Sequence, residues 1–265
     1  MSSADRIVYA PDGTVIGSWR TGNGQPVVLV HGTADDHTAW DLVAPRLAMR
    51  FEVYAVDRRG RGASPWGGPV YAIEQEFDDI AAVVDSTGTP TWLVGHGYGA
   101  DIAIGAALRT RNLAGLVLYE PAPGIPTVDE ATLAEAERRI AAGDHEGALV
   151  LLLSAVLELD DAAIARVRAG VGWASTLPNV ETMPRELRAE EHWRPAGYDD
   201  LVLPTLLLVG STSPAWARRW TSMAQSAIPN SRLQVLEGQG HLALTSAPEL
   251  VAQAIVDFVF DPSRS

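Results

Sequence analysis

The sequence contains no cysteine, and that one absence removes thiolate nucleophiles, cysteine-bound metals and disulfide staples together. Cations are scarce as well: 20 Lys and Arg stand against 33 Asp and Glu, giving a formal charge of −13. No basic cluster interrupts that excess. Such a surface is repelled by phosphate backbones and anionic lipid, so neither nucleic acid nor membrane is an expected partner. There is no run of about 18 apolar residues to span a bilayer. "MSSADRIVYA" at the start lacks the basic segment and apolar run of a secretory leader. A soluble, cytoplasmic protein is the expectation. Internal repeats and low-complexity tracts are missing too, which leaves Ser, Thr, His, Asp, Glu and backbone groups as the available chemistry.

What is present, 47% hydrophobic residues in a chain of 265, suffices for a full core. "RIVYA" and "TVIGSW" flank the turn "PDG" and predict a hairpin. "PVVLV", "FEVYAV", "TWLVG", "LAGLVLY", "PTLLLVG" and "RLQVLE" are short apolar runs of the kind buried in parallel strands. Helical stretches such as "FDDIAAVVDS" and "DIAIGAALRT" separate several of them. This alternation predicts an α/β fold, a mostly parallel sheet flanked by helices and edged by the antiparallel hairpin. It stops after Glu120. From 121 to 200 the pattern is helical, so 1–120 and 201–265 are expected to form the core. The 121–200 stretch is expected to be an inserted helical cap over the strand ends where open sheets bind ligands.

Within "LVGHGYGA", Gly95, His96, Gly97, Tyr98 and Gly99 fill the five places of a G-x-S-x-G frame, with Gly97 where Ser is expected. The outer glycines permit a sharp strand-to-helix turn, and the helix start offers N–H groups and positive dipole potential above it. "VLVHGT" ends a strand on His31, Gly32 and Thr33. "LEGQGHLALTSAPELVAQAIVDFV" sets His241 in a glycine-flanked loop between a strand and an amphipathic helix.

In this order, with "DRRGRGASP", "LVLYEPAPG" and "LPTLLLVG" between them, the segments resemble the α/β-hydrolase fold family over nearly the whole chain. The resemblance implies that fold, a small-molecule substrate, and no cofactor or metal. It implies an oxyanion hole from the backbone N–H groups of Thr33 and Tyr98, with His241 as the catalytic base. Ser213 stands where members often carry the acid, so Glu120, at the end of the strand before the insertion, is the alternative carboxylate. Gly97, Glu120 and His241 then keep the family's order of nucleophile site, acid and base. His31 and His96 read as structural, and His37, His145 and His192 as solvated. Asp35 and Asp36 read as helix caps, and Asp101 as a complement to the positive end of its helix.

Glycine has no side chain to acylate, which excludes a covalent intermediate at residue 97. It also adopts the elbow's positive φ without the Cβ penalty. What is left supports two chemistries: hydrolysis by a water that His241 deprotonates, or proton abstraction from the substrate itself. The second leads to isomerisation, cyclisation or carbon–carbon cleavage. A non-catalytic small-molecule binder and a serine esterase whose nucleophile has been replaced are the alternatives. Trp40 and Trp66 in core loops, with Trp173 and Trp193 in the insertion, predict an apolar pocket for a small ester or carbonyl compound. Oligomeric state is not legible.

Overall fold

The apolar runs become strands because both of their faces find cover: Val27 and Leu29 enter one buried cluster, Val28 and Val30 the other. The computed structural model describes residues 4–66, 70–124, 128–194 and 197–261. Its strands are β1 (Arg6–Tyr9), β2 (Val15–Gly22), β3 (Gln25–Val30), β4 (Phe51–Val56), β5 (Thr91–His96), β6 (Leu113–Tyr119), β7 (Thr205–Gly210) and β8 (Ser231–Leu236). They form one sheet in the order β1-β2-β4-β3-β5-β6-β7-β8. β1, β2 and β4 pair antiparallel, and every pair from β4 to β8 is parallel. The expected hairpin thus lies at one edge.

Helices α1 (Ala44–Leu47), α2 (Ile73–Ser86) and α3 (Tyr98–Ala107) alternate with the first strands. Between β6 and β7 the described residues form only helices: α4 (Glu130–Ala141), α5 (His145–Leu157), α6 (Asp161–Ala169), α7 (Trp173–Thr176) and α8 (Met183–His192), with short 3-10 turns. Asp129, Asp144 and Asp160 each cap the helix that follows, accepting a backbone N–H of its first turn. α9 (Ala215–Ala227), α10 (Ala243–Ser246) and α11 (Pro248–Val259) complete the chain. Among the described residues no helix is long and apolar enough to cross a membrane.

The inserted helices have a cluster of their own, including Leu133, Leu149, Leu152, Val180, Met183 and Leu187, and Ala34 from the loop after β3 joins it. They are tied to loops at the carboxyl ends of the strands. Glu186 of α8 meets Arg61 at 2.7 Å and Arg58 at 3.0 Å, both from the loop after β4. The Trp216 indole donates to the Val156 carbonyl at 2.8 Å. These helices therefore touch the segments that follow β3, β4 and β7.

Asp101 on α3 and Glu190 on α8 are buried carboxyls at the same seam. Ala122 N–H donates to Asp101 Oδ1. Burial pushes Asp101 up to about 7, and burial together with the neighbouring Asp101 holds Glu190 well above the usual carboxylate range. A carboxyl raised on folding binds its proton more tightly in the native state. Its contribution to stability is full below about pH 4 and is lost as pH rises through about 7. Thermal melts are therefore expected to give a lower midpoint at pH 8 than at pH 5, and Asp101→Asn to flatten that difference.

Candidate active site

β5 delivers His96, the chain turns at Gly97 with φ +53 and ψ −125, and α3 begins at Tyr98. The turn is tight enough that a Cβ on Gly99 would lie 2.3 Å from the Val30 carbonyl oxygen, so glycine there sets how closely α3 approaches β3. Tyr98 opens the helix with an N–H that has no intrahelical acceptor. Among the described residues, neither its N–H nor that of Thr33 is taken by a hydrogen bond.

The His241 imidazole stands over this turn. A Cβ built on Gly97 would lie 3.2 Å from His241 Nε2. The ring's other nitrogen, Nδ1, is 2.6 Å from Glu120 Oε2. Glu120 is fully buried directly after β6, and its backbone sits at φ +51, a conformation that costs a non-glycine residue about 1–3 kcal/mol. Its other oxygen accepts the Gly210 N–H at 2.8 Å and the Ser213 hydroxyl at 2.5 Å. The loop after β7, which lacks a carboxylate, thus holds the carboxylate that ends β6. An ionised carboxylate only accepts, so Nδ1 carries the ring proton and Nε2 presents its lone pair toward the elbow.

That arrangement makes Glu120→Gln informative. The Gly210 N–H keeps the amide oxygen, which turns the NH₂ toward Nδ1 and drives the imidazole proton to Nε2. Turnover is expected to fall on the order of 10²-fold or more with the fold intact, as for loss of a general base. Steady-state kinetics beside circular dichroism checks it.

His96 donates from Nε2 to the His241 carbonyl at 2.9 Å, its ring centroid 4.4 Å from that of His241. Burial, then the neighbouring His241, holds it well below the usual histidine range. It is a neutral brace for the His241 backbone. His31 bonds Gly32 O through Nδ1 and accepts the Arg58 N–H through Nε2, which fixes the loop after β3. His37 departs from expectation: it is stacked on Trp19 with centroids 3.4 Å apart and bonded to Asp57 at 2.8 Å, because the loop after β3 folds down onto β2. Asp36, His37 and Asp57 bring three ligand-type atoms within 4.8 Å of one another. Each is engaged, Asp36 as the cap of the Thr38 turn and Asp57 as acceptor for His37 and Ala63.

The four tryptophans expected around the pocket have the following surroundings. Trp40 is 1% exposed in the core cluster with Val43, Leu47 and Phe51. Trp193 packs on Phe77 at the edge of the opposite core. Trp173 packs on the insertion's own cluster, and Trp66 holds the Arg185 guanidinium 4.0 Å from its ring. The rings in contact with His241 are His96, Tyr119 and Trp216. Sequence reasoning missed Trp216 and the support from Ser213. The one available signal was their place just after β7, the loop that normally supplies the acid.

A parallel sheet, a glycine-cornered elbow and a buried carboxylate paired with a histidine after the last strand define an α/β protein of hydrolase type. The chain belongs to the alpha/beta hydrolase family, whose model matches residues 27–254. It is similar to a solved alpha/beta hydrolase from Sphaerobacter thermophilus, 30% identical, covering 96% of this chain and 100% of that one with a TM-score of 0.83. It is 26% identical over 251 residues to a pimeloyl-[acyl-carrier protein] methyl ester esterase of Aeromonas hydrophila, covering 91% of this chain and 97% of that protein. It is also 41% identical over 101 residues to the probable oxidoreductase EphD of Mycobacterium tuberculosis. That match spans 36% of this chain and only 17% of EphD.

Proposed function

We propose that this protein is an enzyme that hydrolyses a small, largely apolar ester or related carbonyl compound without a covalent intermediate. His241 is the general base, Glu120 orients it, and the N–H groups of Thr33 and Tyr98 receive the oxyanion. The observation that carries the reading is the His241 ring, bonded to Glu120 on one side and presenting Nε2 to the elbow on the other. His241 takes a proton from a water above Gly97, the hydroxide adds to the carbonyl carbon, and collapse of the tetrahedral oxyanion expels the alkoxide, which takes up a proton to leave as the alcohol and balances the proton held by His241. The esterase among the relatives supports the ester as substrate class. The test is release of acid and alcohol from short-chain butyrate esters, followed beside His241→Ala, with intact-mass spectrometry to look for an acyl adduct.

One observation favours a second reading, a serine esterase whose nucleophile has been replaced. Gly97 keeps the positive φ of a nucleophile seat, and His241 Nε2 lies where a Ser hydroxyl would meet it. Under that reading the native chain is inert and Ser at 97 restores it.

A further inference from the structure

The two adjacent aspartates after β3 divide their work. Asp36 is the cap: its Oδ1 accepts the Thr38 N–H at 2.8 Å and the Thr38 hydroxyl. Asp35 caps nothing, and its carboxylate has no hydrogen-bond partner among the described residues although the residue is half-buried. Its backbone is pinned on both sides. Ala34, at the strained φ +56, is locked into the inserted helices' cluster, and the Asp35 carbonyl accepts Arg61 Nε at 3.0 Å. The carboxyl is thereby turned back over the strand end, where a Cβ built on Gly32 would lie 3.8 Å from Asp35 Oδ2. Gly32 immediately precedes Thr33, whose N–H has no acceptor among the described residues.

We propose that Asp35 is a further catalytic residue of this site, a neutral carboxylic acid that protonates the leaving oxygen while His241 serves as base. The inference rests on the hydrolytic reading above. His241 Nε2 gains the proton of the attacking water, and Asp35 gives its proton to the departing alkoxide as the C–O bond breaks. The imidazolium then returns a proton to Asp35, so ester and water become acid and alcohol with both groups restored. A protonated Asp35 below about pH 7 follows from its surroundings. Burial, reinforced by Asp36, pushes it up to about 7, against the opposing pull of Arg61, His241 and Arg58. Both arginines are tied to Glu186 of α8, which blunts that pull. His96, whose Nδ1 would lie 3.6 Å from the same Gly32 Cβ, is neutral.

The experiment compares the native chain, Asp35→Asn and Asp36→Ala on ethyl butyrate and p-nitrophenyl butyrate from pH 6 to 8.5. An alkoxide needs a proton to leave and a nitrophenolate does not. Asp35→Asn is expected to lose on the order of 10²-fold or more in kcat/KM on the ethyl ester and little on the nitrophenyl ester. It should also lose the decline in ethyl-ester turnover as pH rises through about 7. Asp36→Ala is expected to lower stability and leave the ratio between the two esters unchanged. Equal losses on both esters, or none, overturn the proposal. Should the native chain turn over neither ester, the hydrolytic reading falls, and phenyl methylphosphonate binding measured by calorimetry still decides on Asp35. The native chain is expected to bind that anion at least about tenfold more weakly at pH 8 than at pH 6, as an ionised Asp35 repels it. Asp35→Asn removes the part of that dependence due to Asp35, and an unchanged dependence refutes the assignment.

Discussion

His241→Ala abolishes turnover by the native chain, with an expected loss of about 10⁴-fold, the upper range for a general base that no neighbour replaces. Neither His96 nor Glu120 can replace it. His96 is 4.4 Å away ring to ring, but its Nε2 is committed to the His241 carbonyl and burial keeps it neutral. Glu120 lies behind the imidazole, with one oxygen held by Gly210 and Ser213. The substitution leaves Glu120 Oε2 without its partner, so some loss of stability accompanies the loss of rate. Rates on butyrate esters, measured on protein shown by circular dichroism to be folded, check the expectation. A His241→Ala protein as active as the native chain removes the base from the mechanism.

Gly97→Ser is expected to convert the site to covalent catalysis. The new Cβ lies 3.2 Å from His241 Nε2 and 3.3 Å from Cε1, so the ring must give by a few tenths of an ångström. Its loop, with Gly238 and Gly240, allows this movement. The hydroxyl one bond further out then meets Nε2, completing a Ser–His–Glu set around the free N–H groups of Thr33 and Tyr98. Removing the nucleophile from such a set costs on the order of 10⁶-fold, so a gain of at least about 10³-fold on p-nitrophenyl butyrate is expected, with a burst of one acyl group per chain. The Ser residue at φ +53 costs about 1–3 kcal/mol of stability, seen as a lower melting temperature. A burst from the variant together with an inert native chain selects the replaced-nucleophile reading. A native chain that turns over without an acyl adduct selects the non-covalent one.

Much of this was legible in the sequence because it is encoded locally. Continuous apolar runs of five or six residues specify buried parallel strands, and the break in alternation after Glu120 marks the place where helices α4–α8 are inserted. Glycines at 95, 97 and 99 specify a turn that tolerates positive φ and a close helix, and the order Gly97, Glu120, His241 singles out the pair that the structure brings to 2.6 Å. Other features depended on which surfaces meet. Trp40 closes a 3-10 turn and Trp216 lies in the first turn of α9, yet packing sends one into the core and the other to the His241 ring. Asp35 and Asp36 are the same residue type one position apart. The strained turn at Ala34, held by helices more than 90 residues away in the chain, separates the two: Asp36 caps, and Asp35 Oδ2 lies over Gly32. Local pattern determines backbone conformation and the buried face of each element; the partners of a loop side chain are set by contacts between distant segments, such as the loop after β3 with helices α4–α8.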